Sequence, residues 1–197
     1  MKKLILPIFL VGSLTFATSC GNNQTKDSTE VAENKNEQKN DQKEAATNTN
    51  INTKDDQEFL VEAASGGLME VELGQLAKTN ASSPKVKEFG ARMVTDHTKA
   101  NNELKTLAAS KNITIPTTPG EKHQAHIDEL KNKKGADFDK AYMSMMVDDH
   151  KEDVSKFDDE ANKGNDAEIK AFAARTVPVL REHLQMATSV NDAVKGK

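Results

Sequence analysis

The chain has 197 residues, a net charge of −4, 36 % hydrophobic side chains and only 4 % aromatics, with one tyrosine and no tryptophan. Sparse β-branched and aromatic runs, beside abundant Ala, Lys, Glu, Met and Leu, exclude a β-sandwich or barrel. The acidic balance excludes nucleic acid as a partner, the more so if Lys2 and Lys3 leave with an export signal.

Met1-Lys2-Lys3 is a short basic start, followed by a 14-residue apolar run from Leu4 to Ala17. That run is too short to span a bilayer, which takes about 20 residues, but it suits the core of a secretory signal. It ends in Ala17-Thr18-Ser19-Cys20, small residues before the single cysteine. This arrangement resembles a bacterial lipobox, in which the cysteine is acylated and becomes the mature N-terminus. Residues 1–19 are therefore expected to be a lipoprotein signal peptide and Cys20 a lipid anchor. The alternative is an ordinary signal peptide followed by a free thiol. Several acyl chains on one residue would hold the protein stably to a membrane of the cell envelope.

From Gly21 to Lys54 only Val31, Ala32, Ala45, Ala46 and Ile51 are apolar. So few apolar groups do not offset the entropy of ordering a backbone, and residues 20–54 are expected to form an unfolded tether.

The remaining domain, 55–197, is expected to be all-α. Phe59, Ala63, Gly66, Glu70, Leu73 and Ala77 recur at steps of three and four, predicting a helix near 56–79. Gly66, Gly67 and Gly74 lie inside it, which suggests a neighbouring helix at unusually close range. Ser83-Pro84 then reads as an N-cap followed by proline at the first helical position. The second helix carries Val86, Phe89, Met93, His97, Ala100, Leu104 and Leu107 on its inner face, until Ile113–Gly120 breaks it. A polar segment from Glu121 to Lys131 is expected to form a short connecting helix, with His123 and His126 in solvent. The third long helix carries Phe138, Tyr142, Met146, His150, Val154, Phe157 and Ala161, and is closed by Gly164. The fourth carries Ile169, Phe172, Thr176, Val179, His183, Ala187, Val190 and Val194, with Pro178 expected to distort it by removing one ladder hydrogen bond. Four such stripes predict an antiparallel four-helix bundle. The 25-residue link between the two hairpins is long enough for a ferritin-like crossover, and an up-down-up-down order stays open.

Each stripe contains one residue able to bind a metal: Glu70, His97, His150 and His183. Counted from the two turns these residues differ in depth by about five positions, roughly 7 Å of rise. Side chains lean toward their own helix N-terminus, which narrows that gap. Three imidazoles and one carboxylate suit a single zinc, iron or copper ion. A di-iron centre is disfavoured, because none of the three histidines has an acid three residues before it. The alternative is a metal-free hydrogen-bonded network with Glu70 accepting from a histidine.

A local echo adds weight to a shared role. Phe89-x3-Met93-Val94-x-Asp96-His97 matches Tyr142-x3-Met146-Val147-x-Asp149-His150 in spacing. Asp96 and Asp149 are candidates to orient a histidine on an adjacent helix, with Tyr142, Met93 and Met146 beside the site. No thiol nucleophile remains if Cys20 is lipidated, and there is no Gly-rich phosphate loop, G-x-S-x-G or H-E-x-x-H motif.

The segments Phe59-Leu60-x2-Ala63-Ala64-x-Gly66-Gly67, Glu70-Val71-Glu72-Leu73-Gly74-x-Leu76-Ala77, Val86-Lys87-x-Phe89-Gly90-x2-Met93-Val94-x-Asp96-His97 and Pro178-x-Leu180-x2-His183 resemble the bacterial family known as domain of unknown function 4142. The resemblance covers about Asp55 to Ala187. It implies a ferritin-like fold and an exported, outer-membrane or periplasm-facing lipoprotein, and it supplies no activity. The sequence therefore predicts a lipid-anchored envelope protein, not readily read as an enzyme, that binds one transition metal in its core. The alternative is a metal-free structural or stress-related interaction module, with no protein partner legible.

Overall fold

A computed structural model describes residues 26–47 and 54–196; the expected leader and Cys20 lie outside them. The described chain forms six helices: α1 (Ser28–Thr47), α2 (Lys54–Asn80), α3 (Pro84–Ser110), α4 (Glu121–Leu130), α5 (Gly135–Lys163) and α6 (Ala167–Lys195). The bundle is built from α2, α3, α5 and α6. None of the described helices is long and apolar enough to cross a membrane.

Residues 28–47 correct the expectation of an unfolded tether. They form α1, which packs on α2 and on the link after α3. Its apolar burial is slight, with Ala32 at its centre, and polar clamps hold it instead. The Asn36 amide accepts from Thr114 N–H at 2.7 Å and donates to the Thr114 carbonyl at 2.9 Å. Lys39 donates to the Asn112 carbonyl, and Asp27 accepts from the Glu121 N–H at the start of α4. A helix held this way leaves no hydrophobic period for sequence reasoning to find.

The long helices start and stop for local reasons. Asn112 takes a left-handed φ of 58° and Ile113 N–H returns to the Ala108 carbonyl at 2.8 Å, a Schellman stop that ends α3 ahead of the proline-rich link. Asp166 caps α6 by accepting from Glu168 and Ile169 N–H. Ser83 precedes Pro84 as expected, but its side chain does not cap α3; its N–H donates to Asp139 of α5 at 2.8 Å. α6 runs unbroken through Pro178.

The topology follows from which ends meet. Buried Asp139, near the start of α5, accepts from Ser82 and Ser83 N–H in the α2–α3 turn. Buried Asp56, in the first turn of α2, accepts from Asn165 and Asp166 N–H in the α5–α6 turn. Gly135 lies beside Ala81, so α5 begins where α2 ends and runs antiparallel to it. The link from 111 to 134 therefore travels the full length of the bundle, carrying α4, and the up-down-up-down order is excluded. α2 packs on α3 and α5, and α6 packs on α5 and α3. This is the ferritin-like crossover.

Two of the three α2 glycines meet close neighbours. A Cβ at Gly74 would lie 2.6 Å from the Gly90 carbonyl of α3, and one at Gly67 would strike the Asn101 amide. Gly66 differs, with its nearest neighbour, His123 Nε2, at 3.6 Å.

Near the α5–α6 turn, Glu160 sits beside Asp56, and burial, with that neighbouring acid, pushes its carboxyl up to about 7. The folded state thus holds a proton there that the unfolded chain releases near its ordinary value, so stability falls as pH rises from about 4.5 to 7. Glu160→Gln is expected to raise the melting temperature at pH 8 and leave it unchanged near pH 4; equal shifts at both pH values would contradict this.

Candidate metal centre

Two apolar clusters fill the bundle. One, around Leu73, Phe89, Met93, Tyr142 and Met146, lies toward the α2–α3 turn, and the other, around Leu60, Leu104, Phe157 and Phe172, lies toward the α5–α6 turn. Between them is a polar layer. On α3 it falls between Met93 and Leu104, on α5 between Met146 and Phe157, and on α6 between Leu180 and Ala187. His97, His150 and His183 occupy those gaps, and Glu70 enters from α2.

All four are buried, with exposures of 1 % for Glu70, 6 % for His97, 0 % for His150 and 1 % for His183. The ring centroids are 5.8 Å apart for His97 and His150, 5.2 Å for His97 and His183, and 5.4 Å for His150 and His183. Residues far apart in sequence are thus brought to one height, as the leaning of helical side chains predicts.

Each imidazole has one nitrogen engaged and one bare. His97 Nδ1 lies 2.6 Å from Glu70 Oε2, His150 Nδ1 lies 2.9 Å from the Met146 carbonyl, and His183 Nε2 lies 2.8 Å from Asp96 Oδ2. The opposite nitrogens, His97 Nε2, His150 Nε2 and His183 Nδ1, are buried without hydrogen-bond partners. One nitrogen from each ring lies within 4.8 Å of the others. His150 Nε2 also comes within 3.3 Å of Glu70 Oε1, without the alignment of a hydrogen bond.

Electrostatics keep the layer neutral. Burial pushes His97 down to about 4, and burial with the neighbouring His97 and His183 pushes His150 down to about 3. His183 is lowered by burial and partly restored by Asp96. Burial raises Glu70 well above the usual carboxylate range. Burial also lifts Asp96, but hydrogen bonds from Arg92 and His183 outweigh it and hold that carboxylate below its ordinary value. Asp96 is therefore ionised and accepts from His183 Nε2–H, leaving a lone pair on Nδ1.

The other sequence-singled residues fall in different places. Asp96 reaches a histidine on the adjacent helix α6 rather than its own neighbour. The Asp149 carboxylate lies with Glu70 and His150 within 4.8 Å, and its Oδ2 is buried and unpartnered. Met93 and Met146 are fully buried in the apolar cluster, and Met146 serves the layer through its backbone carbonyl. Tyr142 is buried, stacked on Phe138 at 5.3 Å, with its hydroxyl unpartnered.

His123 corrects an expectation. It is buried rather than solvated, with its Nδ1 2.7 Å from Ser65 Oγ, which in turn accepts from Gly120 N–H. It pins α4 to α2, and its burial depends on a partner 58 residues away. Asp153 was not anticipated. It follows His150 by three residues, hence on the same face of α5, and burial together with Glu70 raises its carboxyl to about 7. The acid three residues after a histidine was the signal that could have found it.

No curated protein matches the sequence. The fold is similar to that of the DUF305 protein from Streptomyces coelicolor, at a TM-score of 0.59 and 10 % identity, covering 70 % of this chain and 91 % of that one. It is equally similar to CopM, solved in its Cu(II)-bound form, at a TM-score of 0.59 and 14 % identity, covering 70 % of this chain and 96 % of that one. Both likenesses concern the fold. A family profile described as "Domain of unknown function (DUF4142)" matches residues 40–190, a span from within α1 to near the end of α6 that includes all four residues of the polar layer, and the chain belongs to that family.

Proposed function

We propose that the protein binds one transition-metal ion through His97 Nε2, His150 Nε2 and His183 Nδ1. Glu70, Asp96 and the Met146 carbonyl orient the three rings, and Glu70 Oε1 lies beside the centre as a further oxygen donor. The observation that carries this reading is the meeting of three buried histidines from three helices, one ring nitrogen of each within 4.8 Å of the others and one nitrogen of each without a hydrogen-bond partner. Each unpaired buried polar atom costs about 1–3 kcal/mol, and a cation would satisfy all three at once. Having the far nitrogen of each histidine held by a carboxylate or carbonyl is the usual outer support of metal-binding imidazoles.

The Glu70–His97 bond supplies the needed switch of protonation. With Glu70 neutral, its hydroxyl donates to His97 Nδ1 and the proton of His97 sits on Nε2. Transfer of the Glu70 proton to Nδ1 and release of the Nε2 proton to solvent give a carboxylate accepting from Nδ1–H and a lone pair on Nε2, lowering the net charge of the pair by one. A cation favours the second arrangement.

Three neutral imidazoles suit copper and zinc over iron, in the general order of divalent affinity. The likeness of the fold to CopM in its Cu(II)-bound form supports copper within that set. With the three imidazoles at most 6 % exposed, the centre is closed, which suits holding a metal rather than turning over a substrate at an open coordination position. The basic start, apolar run and Ala17-Thr18-Ser19-Cys20 support export and lipid anchoring at the cell envelope.

Protein prepared without a histidine tag, incubated with copper, zinc or iron and desalted, is expected to retain about one equivalent of copper or zinc, with copper displacing zinc. Retention below about 0.2 equivalents of every metal would overturn the proposal. It would leave the metal-free network, favoured by the 2.6 Å Glu70–His97 bond, as the reading of the layer.

A further inference from the structure

A cavity of about 350 Å³ opens between α2 and α5, and its wall contains Asp153. Seven carboxyl side chains and two lysines line it, together with Phe59 and Phe157. Both lysines are already engaged, Lys156 by Glu152 at 2.7 Å and Lys163 by Asp159 at 2.7 Å, so the acids dominate its field. Apolar walls beside like charges focus that field on a cation. The wall also carries Glu160, 8 % exposed, whose Oε1 is buried without a hydrogen-bond partner.

The cavity stops short of the imidazoles. Glu70, His97, His150 and His183 are not among its lining residues, but Asp153 is, and Asp153 stands close enough to Glu70 and His97 to exchange electrostatic influence with both. One residue therefore belongs to the solvent-connected cleft and to the surroundings of the buried layer. Among the buried atoms of that layer, Glu70 Oε1 and His97 Nε2 have no hydrogen-bond partner.

We propose that this cleft is the route by which a divalent cation reaches the three-histidine centre, with Asp153 as the group that takes the ion at the inner end and hands it to His97 and Glu70. The inference rests on the metal-binding reading above and adds to it a path and a relay residue. The ion arrives hydrated, exchanges a water for an Asp153 oxygen at the cavity floor, and then exchanges further waters for the imidazole nitrogens, which hold it more tightly than a single carboxylate. Asp153 is thus a positioning residue on the way in, not one of the final ligands.

The test separates the rate of loading from the amount loaded. Stopped-flow mixing of the metal-free full chain with Cu(II) alone, followed by absorbance, is compared for wild type, Asp153→Asn, Ala63→Phe and the control Glu88→Gln. Ala63 lines the cavity, so phenylalanine there plugs it without touching the polar layer, whereas Glu88 is an exposed acid of α3 away from it. Loading is expected to slow at least tenfold in Asp153→Asn and in Ala63→Phe, the scale on which charge focusing raises on-rates, with Glu88→Gln at the wild-type rate and final stoichiometry unchanged in all four. Wild-type rates in Asp153→Asn overturn the relay, and wild-type rates in Ala63→Phe overturn the route; should Asp153→Asn fail to fold, the plugged variant decides. Absence of bound copper in the wild type would instead end the metal-binding reading itself.

Discussion

His150→Ala is expected to abolish metal binding, and Glu70→Gln to weaken it by about 10–100-fold, the usual cost of losing a partner that orients a metal-binding imidazole. His150 is the most buried of the three rings, faces both His97 and His183, and has its Nδ1 tied to the Met146 carbonyl, so no other side chain can move its Nε2 into place. Glutamine at 70 keeps the shape and one acceptor for His97 Nδ1, but removes the negative charge that would balance a bound cation. The wild-type protein with metal at a hundred times its dissociation constant gains about 2.7 kcal/mol of stability, or roughly 5–10 °C in melting temperature for a domain of this size. That gain should vanish in His150→Ala and reappear in Glu70→Gln only at higher metal concentration. A melting shift of wild-type size in His150→Ala would refute the three-histidine assignment, and unchanged affinity in Glu70→Gln would remove the orienting role of Glu70.

Gly74→Ala is expected to destabilise the fold by about 2–3 kcal/mol, while Gly66→Ala, about two turns earlier on the same helix, is neutral or stabilising by up to about 1 kcal/mol. At Gly74 the added methyl meets the Gly90 carbonyl at 2.6 Å and Val94 Cγ2 at 2.9 Å, and the carbonyl belongs to rigid helical backbone that cannot turn aside. The reciprocal contact, a Cβ at Gly90 against Ala77 Cβ at 2.6 Å, shows that α2 and α3 touch backbone to backbone there. At Gly66 there is ordinary van der Waals room, and alanine's higher helix propensity acts alone. Denaturant unfolding of the two variants checks the contrast; comparable losses at both positions would show that the glycines are not reporting helix proximity.

The same two glycines illustrate what was legible in the sequence. Their presence inside a strong helical period could be explained only by close packing, but periodicity alone does not distinguish Gly74, set against backbone, from Gly66, set against an imidazole edge. The four long helices and the short α4 were legible because apolar stripes, Ser83-Pro84 and Gly164 each encode local or one-dimensional constraints; the length of the link allowed a crossover but left the order open, which is decided by the contacts of Asp139 and Asp56 between distant helix ends. The four residues of the polar layer were legible because a polar group at a core position is conspicuous against an apolar stripe. α1 was not, since Asn36, Lys39 and Asp27 hold it through side chain to backbone bonds that have no period. His123 was misread for a related reason: its burial is conferred by Ser65, and nothing adjacent in sequence announces that partner.

The way α1 is fastened has a mechanical consequence. Its polar clamps grip the link at Asn112, Thr114, Thr118 and Glu121, and Asp27 sits at the first of these junctions in chain order. Tension applied to the chain ahead of Asp27 is therefore borne first by a handful of hydrogen bonds to the crossover strap. The strap can yield while the interdigitated rods, and the histidines they carry, keep their alignment, so the fold has a sacrificial joint between any point of attachment and its interior.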